Sequence, residues 1–200
     1  AFIGDKPVFI GHAKLPDAME RRRETYMRIN QQWQGDAFAG SEMVKPTQLV
    51  KDGLTLDLGD RKLVLTAYPT AHTNTDLTVF DEKSSTLWTG DLLFVERTPS
   101  IDGDIKGWLN VINELKIHEA QNAIPGHSDA LKNDNWKADL NNEERYLWTL
   151  LNDVRASIKK GEPMEKAMGT AAKSESSYWK LFDIVNRRNV NNIYPALEWE

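Results

Sequence analysis

The sequence predicts an α/β fold, in which a sheet is covered on one face by helices and on the other by a second sheet. Residues 54–58 alternate strictly between apolar and polar side chains, as a half-buried strand does. The segments 62–68 and 77–88 instead carry apolar residues on both faces, which is expected for a sheet covered on both sides. Residues 104–118 repeat apolar side chains at i, i+3, i+4 and i+7, which predicts an amphipathic helix.

The remaining elements follow from the same two periods and from the Gly and Pro residues that separate them. The predicted strands cover residues 6–11, 54–58, 62–68, 77–80, 86–88 and 123–124. The predicted helices cover residues 15–33, 104–118, 134–160, 163–172 and 178–187. Residues 35–46 are loop-like, and we expect the tail 191–200 to pack back on the rest. With no linker or repeat in view, residues 1–200 are predicted to form a single domain.

Composition limits the possible partners. The chain has 200 residues, 28% of them charged, with a net charge of −5, so neither nucleic acid nor an anionic membrane surface is an expected partner. No apolar run approaches the roughly 20 residues that a membrane span needs. There are no cysteines, which excludes disulfides and thiolate zinc sites.

Three side chains point to chemistry. His72, Asp91 and His127 each lie just beyond the end of a short apolar segment that predicts a strand. Loops at one edge of a sheet can converge on a single point, so these three side chains can meet. Two imidazoles and a carboxylate form a ligand set that zinc accepts.

The segments around these residues carry a family resemblance. TAHTNTDLTVF, TGDLLF and IPGHS, in this order and at these intervals, resemble the later part of the metallo-β-lactamase superfamily. The resemblance implies a binuclear zinc site, in which His72 binds one ion and His127 the other. Asp91 would bridge both ions and help to position the catalytic hydroxide. It also implies a hydrolase acting on a small-molecule ester, thioester or lactam.

One feature departs from that family. Its signature is a His-x-His-x-Asp-His loop, but none of the four histidines here, His12, His72, His118 and His127, is spaced in that way. We therefore expect an N-terminally truncated αββα metallo-β-lactamase sandwich, which lacks the first strands and that loop. Two ligands per ion would remain, so the chain alone should bind zinc weakly and hydrolyse little. The alternative is a metal-free, non-catalytic binding module with the same fold.

The resemblance extends to a subfamily and to a location. The chain is most similar to the periplasmic zinc metallohydrolases that accompany quinoprotein dehydrogenases, which implies a periplasmic protein. An incomplete sandwich would leave apolar sheet surface uncovered, so self-association is expected.

Other candidate residues have two interpretations each. Asp76 and Ser128 are candidates to orient the metal ligands by hydrogen bonding. For Asp76 the favoured interpretation is instead a hydrogen bond to the backbone of its own loop. His12 and His118 are interpreted as structural. The run Arg21–Arg23 is either an anion-binding patch or, because Glu20 and Glu24 flank it, a solvated helix face, and the second interpretation is favoured.

Overall fold

The computed structural model describes residues 7–128 and 135–200, so the predicted positions 6 and 134 lie outside the described residues. The strands are β1 (Ile10–His12), β2 (Gln48–Val50), β3 (Gly53–Asp57), β4 (Lys62–Ala67), β5 (Leu77–Asp81), β6 (Thr86–Phe94) and β7 (Asn122–His127). The helices are α1 (Leu15–Gln34), α2 (Ile105–Lys116), α3 (Trp136–Lys159), α4 (Met164–Thr170) and α5 (Phe182–Leu197). Short 3₁₀ turns cover Gly35–Phe38 and Lys173–Glu175.

Five strands form the main sheet in the order β3-β4-β5-β6-β7. The first three pairs are antiparallel, as the two predicted hairpins require, and β6 pairs with β7 in parallel. Helices α2 and α3 pack against β6. On that face Leu87 and Ala123 are fully buried, and together with the helices they form the core. The predicted α/β class is confirmed.

The opposite face of the sheet carries an apolar row. The strand registers align Leu54, Leu65, Val79, Trp88 and Ile124 side by side. Because paired residues project from the same face, this row crosses all five strands. A second, two-stranded sheet is formed by β1 and β2, and β2 contacts β4. Helices, the five-stranded sheet and this second sheet together make part of an αββα sandwich.

The C-terminal helix is longer than predicted. The helix predicted to end at residue 187 is α5, which begins at Phe182 and continues to Leu197. Its apolar residues keep helical spacing beyond residue 187, so Val190, Ile193 and Leu197 are buried in the core. Pro195 breaks the ladder only in the last turn. The tail therefore packs back on the domain, as expected, but as helix rather than as irregular chain.

The first strand also differs from its prediction, because it begins at Ile10 and includes His12.

Within the described ranges, no helix is long and apolar enough to cross a lipid bilayer.

Candidate metal centre

His72 lies in the loop between β4 and β5, and neighbouring backbone holds this loop in place. The amides of Asp102 and Asp104 donate to the carbonyl oxygens of His72, at 3.0 Å, and of Ala71, at 2.9 Å. A Cβ atom on Gly103 would lie only 2.4 Å from the Ala71 oxygen. The start of α2 can approach this loop closely because glycine leaves room there.

Asp91 lies inside β6, which corrects the prediction that it follows the end of a strand. The predicted strand 86–88 continues to Phe94, because the apolar residues after Asp91 are buried in the core. The pairing of β6 with β7 is irregular on both sides of Gly90, whose φ of +54° favours glycine. Such a bulge redirects the next side chain, and Asp91 consequently faces the cleft.

His127 is the last residue of β7 rather than the first residue beyond it. Its ring stacks on Phe94 with centroids 4.8 Å apart, and Phe94 also lies 5.7 Å from the His72 ring. Trp108 meets His72 edge-on at 5.3 Å. One aromatic side chain therefore packs against both histidines and limits their rotation.

The three predicted ligands come together around the Asp91 carboxylate. His72 Nε2 lies 3.9 Å from Asp91 Oδ2, and His127 Nε2 lies 3.6 Å from Asp91 Oδ1. Each histidine thus faces a different oxygen of the same carboxylate. Two ligand atoms about 2.0–2.1 Å from a tetrahedral zinc lie roughly 3.3 Å apart, so each pair would close by less than one ångström around an ion.

Gly126 makes room for this arrangement. A Cβ atom at that position would lie 1.9 Å from Asp91 Oδ1 and 2.9 Å from the Asp91 nitrogen. Glycine is therefore required at position 126, because the Asp91 carboxylate lies against it.

The donor types suit zinc, but their number is low. Across residues 7–128 and 135–200, no group of three or more His, Cys, Asp or Glu side chains is arranged to hold one ion. This agrees with the geometry above, in which each ion would take one imidazole and one carboxylate oxygen. A durable structural zinc site usually has four protein ligands and a catalytic site three.

Asp76 bonds the loop that carries His72, and its predicted role in orienting the ligand stays a prediction. Its carboxylate accepts hydrogen bonds from the Thr73 amide at 2.9 Å and the Thr73 hydroxyl at 2.6 Å, which fixes the loop. Its Oδ1 atom also lies 3.6 Å from His72 Nδ1, too far for a hydrogen bond but on the ring edge opposite Asp91. Ser128 directly follows β7 and is half-buried, and its predicted orienting role stays a prediction.

The other two histidines have structural contacts, as predicted. His12 is buried, with Nε2 3.2 Å from the Tyr68 oxygen and Nδ1 accepting from the Lys14 amide at 3.0 Å. His118 accepts from the Ala120 amide at 3.1 Å.

Two of the three candidate ligands, His72 and Asp91, line a cleft of about 610 Å³, a volume typical of small-molecule sites. Its walls come from α1, the β4–β5 loop, β6 and the loop before α2. Polar and charged lining residues are Arg21, Arg22, Tyr26, Thr70, His72, Thr73, Asn74, Thr75, Asp91, Ser100 and Asp102. The favoured interpretation of the arginine run as a solvated face is therefore incomplete. All 20 residues of α1 are described and none is buried, yet two of the arginines line the cleft.

Glu143, which lies on α3 behind the centre, was not among the predicted site residues. Its Oε1 atom accepts a 3.0 Å hydrogen bond from the Phe94 amide, while Oε2 has no partner among the described residues. Burial raises the pKa of Glu143 well above its usual value, and the negative charges of Asp139 and Asp91 add to this. The sequence did contain a signal for its burial, because Glu143 lies in the apolar stripe of the predicted helix, between Leu140 and Leu147.

Three solved structures share this fold. A double mutant of the sec-alkyl sulfatase PisA1 superposes with a TM-score of 0.72 at 15% identity, covering 94% of this chain and 36% of that one. A metallo-β-lactamase family protein from Thermus thermophilus gives 0.61 at 13% identity, with 92% and 64% coverage. Metallo-β-lactamase IND-7 gives 0.51 at 18% identity, with 69% and 56% coverage. This chain spans less than two thirds of each structure, and at these identities the likeness shows the fold alone.

No curated protein is similar enough in sequence to count as a match. The family model of the metallo-β-lactamase superfamily, however, matches residues 3–140, which include His72, Asp91 and His127. This chain belongs to the metallo-β-lactamase superfamily.

Proposed function

We propose that this chain forms part of the active site of a zinc-dependent hydrolase that acts on a small-molecule ester, thioester or lactam. One observation carries the proposal: His72 and His127 face different oxygens of the Asp91 carboxylate, at 3.9 and 3.6 Å. A carboxylate that bridges two ions through separate oxygens has this arrangement. The superfamily, to which hydrolases belong, supports the reaction class.

The residues present would have distinct tasks. A bound zinc ion would supply a hydroxide near neutral pH and polarise the scissile group. His72 and His127 would each hold one ion, and Asp91, whose side chain is 39% exposed to the cleft, would hold both. Asp76 would keep the His72 ring oriented from its far edge. Phe94 and Trp108 would shield the His72 imidazole from bulk water.

Two ligands per ion give a second expectation, that the chain alone binds zinc weakly and hydrolyses little. The same low number favours the alternative function, a metal-free binding module that uses the cleft without catalysis. A periplasmic location and the quinoprotein-associated subfamily are further proposals, and they rest on sequence resemblance alone.

Zinc per chain, measured by elemental mass spectrometry after incubation with zinc and gel filtration, tests the proposal. We expect a measurable zinc content, up to about one ion per chain, that is lost in both His127→Ala and Asp91→Ala and kept in His118→Ala. The control removes a histidine outside the centre, which accepts from the Ala120 amide. Zinc that survives both ligand substitutions would contradict the proposed site, and no zinc in the unmodified chain would favour the binding module.

A further inference from the structure

Two arginines on α1 face the same cleft as the candidate metal centre. Arg21 and Arg22 line it together with His72 and Asp91. In the described part of the chain, no carboxylate lies within ion-pair distance of either guanidinium. The next residue, Arg23, instead lies 3.9 Å from the Glu20 carboxylate. Two of three consecutive cations are therefore directed at the cleft without an ion-pair partner.

The acidic residues of the cleft are already engaged. Asp102, on the wall formed by the loop before α2, is ion-paired with Arg188 and attracts Arg22 only from a longer distance. Asp91 faces the two histidines. Histidine is counted as neutral at pH 7. The three guanidinium groups at the cleft, including Arg188, therefore outnumber the two carboxylates, and the local charge is positive although the whole chain carries −5.

The cleft also offers neutral polar groups around this charge. Thr73, Asn74, Thr75 and Ser100 line the walls that face α1. Arg22 Nη1 is 3.5 Å from the Tyr26 hydroxyl one helical turn on, which restrains the guanidinium loosely. A planar guanidinium can bind an oxyanion through two parallel hydrogen bonds, and hydroxyl and amide groups can complete such a shell.

We propose that Arg21 and Arg22 form an anion subsite, which binds the acidic group of the substrate, a sulfate, phosphate or carboxylate, beside the metal centre. That the bound anion is a substrate group rests on the proposed function, whereas the anion binding itself does not. The subsite would select negatively charged substrates and hold them across the cleft from Asp91.

Calorimetric titration of the full chain with inorganic sulfate, inorganic phosphate and acetate tests this subsite, on protein stripped of metal by a chelator that is then dialysed away. The variants are the double substitution Arg21→Ala/Arg22→Ala and the matched control Arg23→Ala on the same helix. Because guanidinium–oxyanion hydrogen bonds are charge-assisted, we expect the double variant to bind at least about tenfold more weakly. The control should stay within about twofold, since a screened surface charge contributes little. None of the three side chains is buried, so folding should survive, which circular dichroism checks.

The outcomes separate the two proposals. The anion that binds most tightly in an arginine-dependent way identifies the acidic group. No binding of any anion, an unchanged double variant or an equal loss in the control would overturn the subsite. Arginine-dependent anion binding in a chain that takes up no zinc would retain the subsite and favour the binding module over the hydrolase.

Discussion

A single buried carboxyl group connects the helical layer to the strand that carries Asp91. Glu143 is 0% exposed, and its Oε1 atom accepts the Phe94 amide hydrogen, so α3 holds the backbone three residues after Asp91. Burying an ionised carboxylate is costly, which is why the pKa of Glu143 is raised. The protonated form still accepts through Oε1 and avoids that cost.

This burial predicts a pH-dependent stability with a defined sign. The pKa of Glu143 is higher in the folded than in the unfolded chain. Protonated Glu143 therefore stabilises the fold fully below its ordinary pKa near 4.5, and this stabilisation is lost as the pH rises toward the folded-state pKa. Between these two pKa values the folded state binds one more proton than the unfolded state. Each unit of rising pH therefore lowers the free energy of unfolding by up to about 1.4 kcal/mol.

Urea unfolding of the wild type and Glu143→Gln, between pH 4 and 8, measures this effect. We expect Glu143→Gln to remove this downward slope, because the amide keeps an acceptor for Phe94 and carries no charge. The exposed Glu114→Gln on α2 should leave the slope unchanged. Parallel slopes in the wild type and Glu143→Gln would show that Glu143 does not titrate in this way.

Helix α5 helps to shape the cleft, although most of the cleft residues are distant from this helix in the sequence. Asn189 Oδ1 accepts from the Ile101 amide at 2.9 Å, and its Nδ2 donates to the Pro99 oxygen at 2.7 Å. The same amide group donates to the Tyr146 hydroxyl on α3 at 2.8 Å. Two buried hydrogen bonds from Asn189 therefore anchor the loop that supplies Ser100 and Asp102 to the cleft wall, and the third ties Asn189 to α3.

Asn189→Ala should destabilise the fold by about 1–3 kcal/mol, because it leaves buried donors and acceptors unpaired. The exposed Asn191→Ala on the same helix should change stability by less than about 0.5 kcal/mol. Chemical denaturation measures both values. A loss in Asn189→Ala no larger than in Asn191→Ala would mean that the loop does not depend on this anchor.

The apolar row across the sheet is a candidate surface for self-association of two copies of this chain. Trp88, the fourth residue of that row, is 51% exposed, and Leu54, Val79 and Ile124 are only half-buried. A second copy of this chain, presenting the same row, could cover it by an isologous contact. We therefore retain the proposal of self-association through this face.

Light scattering over a range of concentrations tests this association. We expect the mass to rise with concentration in the wild type and to stay monomeric in Trp88→Lys. Trp148 on α3 is 45% exposed and lies outside the row, so Trp148→Lys should behave as the wild type does. A wild type that remains monomeric at high concentration would refute the proposal.

Local patterns predicted most of the fold because they act over a few residues. The alternation in β3 and the helical period of α2 follow from which side chains must be buried, and both elements lie within one residue or two of their predictions. The end of α5 was missed because burial of Val190, Ile193 and Leu197 extended the helix. β6 was predicted too short for the same reason, since Asp91 interrupts a run that packing continues.

Residue types and their spacing were enough to predict the superfamily, the order of the elements and the candidate donors His72, Asp91 and His127. The packing of distant segments was needed to show that each histidine faces its own oxygen of Asp91, that Arg21 and Arg22 line the same cleft and that Glu143 is buried. Those facts depend on how elements tens of residues apart pack together, and the periodicity of one segment carries no information about the position of another.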